Sequence, residues 1–247
     1  MEILNEKSKE LMLNGYTNEN PFKFIVIDDF MNDVVINNIA AEVQKLDTNN
    51  ADYVFCDSTW EKNKYAFSQN LGDYLTNVIK YLSSAGFITY IEKLTGIKDI
   101  IKDDITLKGA GIHRIYNKGF LSAHTDFNTY HSSVHGRLDR RLNLLLYLNK
   151  DWKKEYNGSL LLCDRFTGDV KYDIMPIINR CVIFNTTKDS IHGHPDPLDI
   201  PEDVKRESLA IYYYTKNENG IDFEGDAERC TIIFNIDNFD RSNMKTL

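Results

Sequence analysis

His124 and Asp126 stand two residues apart in SAHTDFNTY (residues 122–130), a run in which apolar and polar residues alternate. In a strand, residues i and i+2 point to one face, so this imidazole and this carboxylate can converge on a single ion. They supply two members of the 2-His-1-carboxylate set that holds non-haem Fe(II). The third must come from the remaining histidines, 113, 131, 135, 192 and 194. SIHGHPDP (190–197) offers two. His192 is better placed, because Gly193 and Pro195 set a tight turn directly after it, and His194 is expected as an exposed neighbour of that turn. His131 and His135 fall in FNTYHSSVHGRLD (127–139), which is too polar for a core. It is expected to be a loop that walls the substrate cleft and orders over the substrate without touching metal.

Three protein ligands leave three octahedral positions for reactants, and an oxidase then needs a chelating reductant. A 2-oxo acid with a distal carboxylate serves if a buried cation meets that carboxylate. Arg206, in KRESLAIYYYT (205–215), can fork onto it, with Ser208 on the same face.

These groups must be positioned by a fold. The first hundred residues read as mostly helical. An opening strand in FKFIVIDDF precedes helices over NDVVINNIAAEVQKL (capped by Asn32 or Asp33), LGDYLTNVIKYLSS and GFITYIEKLTG, the last stopped by Gly96. From residue 104 the texture changes to short β-rich runs between polar or glycine-containing turns: ITLKGAGIHRIY, GFLSAHTD, RRLNLLLYLN, GSLLLC, DVKYDIM, RCVIFNT, SIHGHP, ESLAIYYYT and CTIIFNI. Such spacing predicts a sandwich or barrel. The fold class is therefore α+β with a mainly β core. Residues 1–103 form an N-terminal helical portion with its opening strand, and 104–247 a jelly roll, within one compact unit.

Composition closes off other classes. Hydrophobic residues at 42% and aromatics at 12% supply a core and argue against disorder. The net charge of −8 and the absence of a long basic block argue against nucleic-acid binding. No run approaches the ~20 apolar residues of a membrane helix, and MEILNEKSKE lacks the apolar stretch of a signal peptide. Cys56, Cys163, Cys181 and Cys230 are scattered without a CxxC pair. They read as reduced thiols of a cytoplasmic protein.

The stretch from about 112 to 216 resembles the Fe(II)- and 2-oxoglutarate-dependent oxygenases of the prolyl 4-hydroxylase-like superfamily. The residues that carry the resemblance are Tyr116 ahead of His124 and Asp126, then RRLNLLLYLNKDW (140–152), Gly158 and Leu160, His192 and Arg206. Asn157 departs from the pattern where many members have a glycine, and implies a local change in that turn. The resemblance implies a double-stranded β-helix with the N-terminal helices packed on one sheet. His124, Asp126 and His192 would bind Fe(II) and form the catalytic centre. Arg206 would pair with the distal carboxylate of 2-oxoglutarate and Tyr147 would donate to it, with Tyr116, Asn143 and Ser208 as further candidates for that pocket. Arg141, Asn143, Leu145 and Tyr147 would share one strand face.

The reaction implied is decarboxylation of 2-oxoglutarate by O2 to succinate and CO2, coupled to hydroxylation of a C–H bond, with ascorbate as an ancillary reductant. Asp126 disfavours halogenation, which needs the carboxylate position vacated. A peptidyl proline is the first substrate class implied. A small metabolite (amino acid, sugar or lipid) is the second, and a non-enzymatic jelly-roll binding module the third. The 48–70 segment and the 127–139 loop are the expected specificity elements.

Overall fold

The computed structural model describes residues 2–106, 109–217, 219–221, 225 and 228–247, and the side chains of Cys56 and Asp57 lie outside the description. In chain order the elements are α1 (Glu6–Leu13), β1 (Phe24–Ile27), α2 (Asp33–Val43), β2 (Tyr53–Asp57), β3 (Glu61–Phe67), α3 (Asp73–Ser83) and α4 (Ala85–Thr95). There follow β4 (Gly111–Thr125), β5 (Thr129–Ser132), β6 (Gly136–Tyr147), β7 (Leu160–Asp164), β8 (Asp169–Ile174), β9 (Cys181–Asn185), β10 (Ile191–His194), β11 (Arg206–Lys216), β12 (Ile232–Ile233) and β13 (Lys245–Thr246).

The helices form where spacing and caps agree. In α2, Val35, Ile36, Ile39 and Val43 fall on one buried face, as the helical repeat requires. Ser84 accepts from the Phe87 amide at the start of α4. Gly96, at φ 74°, ends it by returning its amide to Glu92 O, the left-handed stop that glycine takes without strain. At α2, Asn32 holds an extended backbone but makes no side-chain cap, its amide going instead to Glu2 O at 3.3 Å.

The strands pair in the order β1-β9-β6-β11-β4-β10-β7-β8-β13, with β3 and β12 also on β4, β2 on β3 and β5 on β6. β4 belongs to both limbs. Its first half pairs with β11, and its second half meets β10 and β12. The sheet curls at this strand into a double-stranded β-helix. The two limbs enclose Phe22, Phe24, Tyr147, Leu160, Leu162, Tyr172, Ile174, Val182 and Phe184. The helices cover the other side of the first limb, where Leu142, Leu144 and Leu146 of β6 and Leu209, Ile211 and Tyr213 of β11 join the helical core. Each such buried aliphatic side chain contributes about 1.5–3 kcal/mol. Arg114 ties α2 to the sheet: its Nη atoms donate to Val43 O and Leu46 O, and its Nε to the buried Glu207, each at 2.7 Å.

The structure corrects the sequence reading at several points. ITLKGAGIHRIY and GFLSAHTD are not two strands. They lie in and before the single strand β4, which starts at Gly111 (Leu107 and Lys108 are outside the described residues). A bend at Lys118 (φ 60°) and Gly119 lies within it. A Cβ at Gly119 would sit 2.4 Å from Ile115 Cγ2 and 2.8 Å from Lys62 O, so the close approach needs glycine. Besides the expected opening strand β1, the mostly helical N-terminal portion contributes two more, and the 48–70 segment contains the β2–β3 hairpin laid along β4. The expected 127–139 loop is largely the β5–β6 hairpin. Its polar residues suit a ribbon with a solvated face, so polarity alone did not mark a loop.

Candidate active site

His124 near the end of β4 lies directly opposite His192 of β10, with ring centroids 4.5 Å apart. The two share one local device. His124 Nδ1 is 2.8 Å from Ser122 O, and His192 Nδ1 is 2.9 Å from Ser190 O. A carbonyl only accepts, so Nδ1 carries the proton and Nε2 the lone pair, the arrangement that orients a metal-binding imidazole. Asp126 Oδ1 and Oδ2 lie 3.6 Å from His124 Nε2 and His192 Nε2 respectively. All three residues are buried, and their ligand atoms fall within 4.8 Å of one another. Ligands held ~2.0–2.2 Å from an ion stand ~3 Å apart in cis positions, so only a small contraction is needed. This donor set fits Fe(II).

Electrostatics hold Asp126 and His192 in their ligating forms. Burial works to raise the Asp126 carboxyl, but the Arg140 guanidinium and the two imidazoles outweigh it and keep it well below the usual carboxylate range. Burial pushes His192 down to about 4, against the pull of Asp126.

Asp126 is braced from behind. Asn143 Nδ2 donates to its Oδ2 at 2.8 Å and Arg140 Nη2 stands 3.2 Å from the same oxygen. Arg140 also donates from Nε and Nη2 to Asn143 Oδ1, and its guanidinium lies 3.5 Å from the Tyr212 ring centre and 4.5 Å from that of Phe127. The sequence pattern put Arg141 on this face. A β-bulge reverses the choice, since Tyr213 pairs with Leu142 and Tyr214 with Arg140, leaving Arg141 as the extra residue. Arg141 faces a separate groove instead, donating to Thr215 Oγ1 at 3.2 Å.

Arg206, Tyr147 and Ser208 line the same cavity as the three candidate ligands, a space of about 190 Å³. Ser208 and Tyr147 are register partners on adjacent strands. Arg206 is buried, its Nε donates to Gly158 O at 2.7 Å, and its guanidinium carbon is 5.2 Å from the Tyr147 ring centre. The Tyr147 hydroxyl is buried without a hydrogen-bond partner. Burial pushes its pKa up against the opposing effect of Arg206, so it remains a phenol that can donate. A buried, unpartnered donor beside a buried guanidinium fits an anion such as the distal carboxylate of 2-oxoglutarate.

Asn143 is in the cavity but serves Asp126. Tyr116 is not in the cavity. Its hydroxyl bonds Thr48 Oγ1 at 2.5 Å and its ring meets Tyr65 edge-on. Period two explains this. Before the bend in β4, His113 and Ile115 line the cavity while Ile112 and Arg114 face the helical side with Tyr116. Past the bend Leu121 still lines the cavity, and an irregularity between Leu121 and His124, where His194 pairs with Leu121 and His192 with His124, changes the parity so that His124 and Asp126 point inward.

His194 is not exposed. It is 4% accessible, lines the cavity and leaves both ring nitrogens without partners. The exposed His131 lies 3.3 Å from Glu228, and His135 lines the separate groove beside Arg141. Neither walls the cavity, to which their segment contributes Phe127. Asn157 takes φ 59° and ψ −154°, a backbone region that favours glycine. Its amide on Pro197 O and its carbonyl under Trp152 Nε1 hold it there. The C-terminal segment runs along the ligand-bearing end of β4. Ile232 and Ile233 pair with Thr125 and His124, and Thr231 joins the cavity wall. The described cysteines, Cys163, Cys181 and Cys230, are free. No helix among the described residues is long and apolar enough to cross a membrane.

Residues 110–214 match the model of the 2OG-Fe(II) oxygenase superfamily. The fold is similar to that of a prolyl-4-hydroxylase from Pseudomonas putida, with a TM-score of 0.57 and 15% identity over 84% of this chain and 100% of that one. It is equally similar to a prolyl hydroxylase from Trichoplax adhaerens solved with a hypoxia inducible factor peptide fragment, with a TM-score of 0.57 and 15% identity over 85% of this chain and 91% of the other. No curated protein sequence matches the chain at a significant level.

Proposed function

We propose that the chain, whose residues 110–214 match the 2OG-Fe(II) oxygenase superfamily, is a hydroxylase of C–H bonds in which His124, Asp126 and His192 hold Fe(II) and Arg206 and Tyr147 hold 2-oxoglutarate. The observation that carries this reading is that the His-Asp-His cluster and the Arg206–Tyr147 pair line one cavity. When bound, iron(II) with 2-oxoglutarate and O2 supplies the oxidation that places one oxygen atom in succinate and one in the substrate.

The chain's own residues have separable tasks. The Ser122 and Ser190 carbonyls aim the two imidazoles. Arg140 and Asn143 fix Asp126 and keep it anionic. Arg206 supplies the charge and fork that a distal carboxylate requires, and Tyr147 a neutral donor. The apolar cluster behind Tyr147 and His192 excludes water from this end of the cavity.

Fold does not choose between a peptidyl proline and a small metabolite, because substrate choice resides in the side chains of the cavity wall. The net charge of −8 disfavours a polyanionic partner such as nucleic acid. The buried free thiols Cys163 and Cys181 suit a reducing compartment, and we place the protein in the cytoplasm. The test is reconstitution with Fe(II), 2-oxoglutarate, O2 and ascorbate against parallel peptide and metabolite panels, reading succinate by NMR and metal content by spectroscopy. Wild type should bind one iron per chain and release succinate, and Asp126→Ala should lose both. Retention of wild-type iron affinity in Asp126→Ala would overturn the metal assignment.

A further inference from the structure

The cavity carries a buried carboxylate that neither the metal nor the cosubstrate uses. Glu61 opens β3, is fully buried and lines the cavity. It pairs across the strands with Leu121, whose neighbour on the other side is His194. This places it beside the strand that carries His124 and Asp126. Glu61 Oε2 accepts from Lys64 Nζ at 3.0 Å, while Oε1 has no hydrogen-bond partner. Lys64 also lines the cavity, with Nζ 4.9 Å from the Phe55 ring centre. Its hydrogen bond to Glu61 uses one of three donors. A buried carboxylate oxygen without a donor is costly to maintain, and nothing in the fold of β3 requires one there.

We propose that Glu61 anchors the substrate, its Oε1 accepting from a protonated amine while Lys64 Nζ meets an oxygen on the same group. An ammonium beside a carboxylate or carbonyl oxygen is the head of an α-amino acid, either free or at the amino terminus of a peptide. Phe55 and Trp60, on the same hairpin and the same wall, supply apolar surface for the remainder and, at the cation, favourable ring faces. An internal peptidyl proline has neither N–H nor charge on its ring nitrogen, so it would leave Oε1 unpaired. This assignment rests on the dioxygenase reading of the cavity for its meaning as a substrate site, but the binding it describes can be measured without turnover.

The probes are the free L-amino acids and the matching Xaa-Gly dipeptides, each beside its N-acetyl derivative. Binding is measured by calorimetry to the full chain, first without metal and 2-oxoglutarate and then with Mn(II) and 2-oxoglutarate present. At least one free amine should bind. N-acetylation and Glu61→Gln should each weaken it tenfold or more, with the variant's 2-oxoglutarate affinity unchanged. Binding by the free amino acids alone identifies a small metabolite, and binding by the dipeptides identifies a peptide amino terminus. The proposal is overturned if no amine in the panel binds, if the N-acetyl forms bind as tightly to the wild-type protein, or if Glu61→Gln leaves affinity unchanged. The wild-type comparison stands even if the variant fails to fold. An amine that binds through Glu61 yet never stimulates succinate release would refute the dioxygenase reading and leave this one intact.

Discussion

Arg206 offers the sharpest test of the cosubstrate pocket. Its guanidinium is buried, is held through Nε by Gly158 O at 2.7 Å, and has no carboxylate partner among the described residues. A bound distal carboxylate would therefore be its counter-charge. Truncating one member of such a buried pair costs about 2–5 kcal/mol. At 1.4 kcal/mol per factor of ten, that is roughly a 30-fold to several-thousand-fold rise in the 2-oxoglutarate Kd. Arg206→Met is preferable to Ala, because it keeps most of the volume against Leu198 and Tyr147 while removing charge and fork. Arg206→Lys keeps the charge and should fall between wild type and Arg206→Met, since an ammonium cannot fork. Calorimetry of 2-oxoglutarate with the Mn(II)-loaded protein reads the effect, and a separate metal titration confirms an intact centre. A Kd for Arg206→Met within threefold of wild type, with metal binding unchanged, would refute the pocket.

Tyr147→Phe deletes one neutral donor and should weaken 2-oxoglutarate by about 1 kcal/mol, roughly fivefold by the same titration. Gly158→Ala would place a Cβ 2.5 Å from Leu198 Cδ2 and 3.0 Å from Arg206 Cδ at a φ of +76°. It should cost more than ~1 kcal/mol in urea unfolding and weaken 2-oxoglutarate through displacement of Arg206. In the metal-free protein, burial holds His192 at about 4 against an ordinary 6.5. The unfolded chain then takes up a proton that the folded state refuses, and stability present above pH 6.5 should be lost as pH falls towards 4. That difference is worth about 3 kcal/mol, and unfolding curves at pH 7.5, 6 and 5 should be steeper in their pH dependence for wild type than for His192→Gln. His131→Ala/His135→Ala should leave iron content and coupled hydroxylation unchanged, because neither ring lines the cavity.

What was legible in the sequence follows from strict periodicity. The period of two in β4 made His124 and Asp126 neighbours, and the spacing in α2 and α4 marked their buried faces. What was hidden follows from backbone irregularity. Arg140 and Arg141 are adjacent and chemically identical, and only a bulge decides which one reaches Asp126. A β-bulge between Leu121 and His124 changes parity along β4, so Tyr116 faces outward while His124 and Asp126, also even-numbered, turn inward. Glu61 and Lys64 sit in EKNKYAF, where mixed polarity gave no alternating pattern to read. The burial of His194 had an available signal: the i, i+2 rule that joins His124 to Asp126 also joins His194 to His192. The turn residues around it were given more weight.

The distribution of charge explains why so polar a cavity is tolerable. Asp126 is balanced by Arg140 and Glu61 by Lys64, so these two pairs bring no net charge to the interior. Arg206 alone is uncompensated among the described residues, and an isolated buried cation is expensive. A divalent metal held as proposed by His124, Asp126 and His192 would add two further positive charges, which a dianionic cosubstrate would offset. In the proposed reading one carboxylate of that dianion would lie at the metal and the other at Arg206. Each end thus depends on the same small molecule, and losing either Arg206 or the metal weakens the hold on both of its carboxylates. The Arg206 guanidinium is therefore best understood as half of an ion pair whose other half arrives with the cosubstrate.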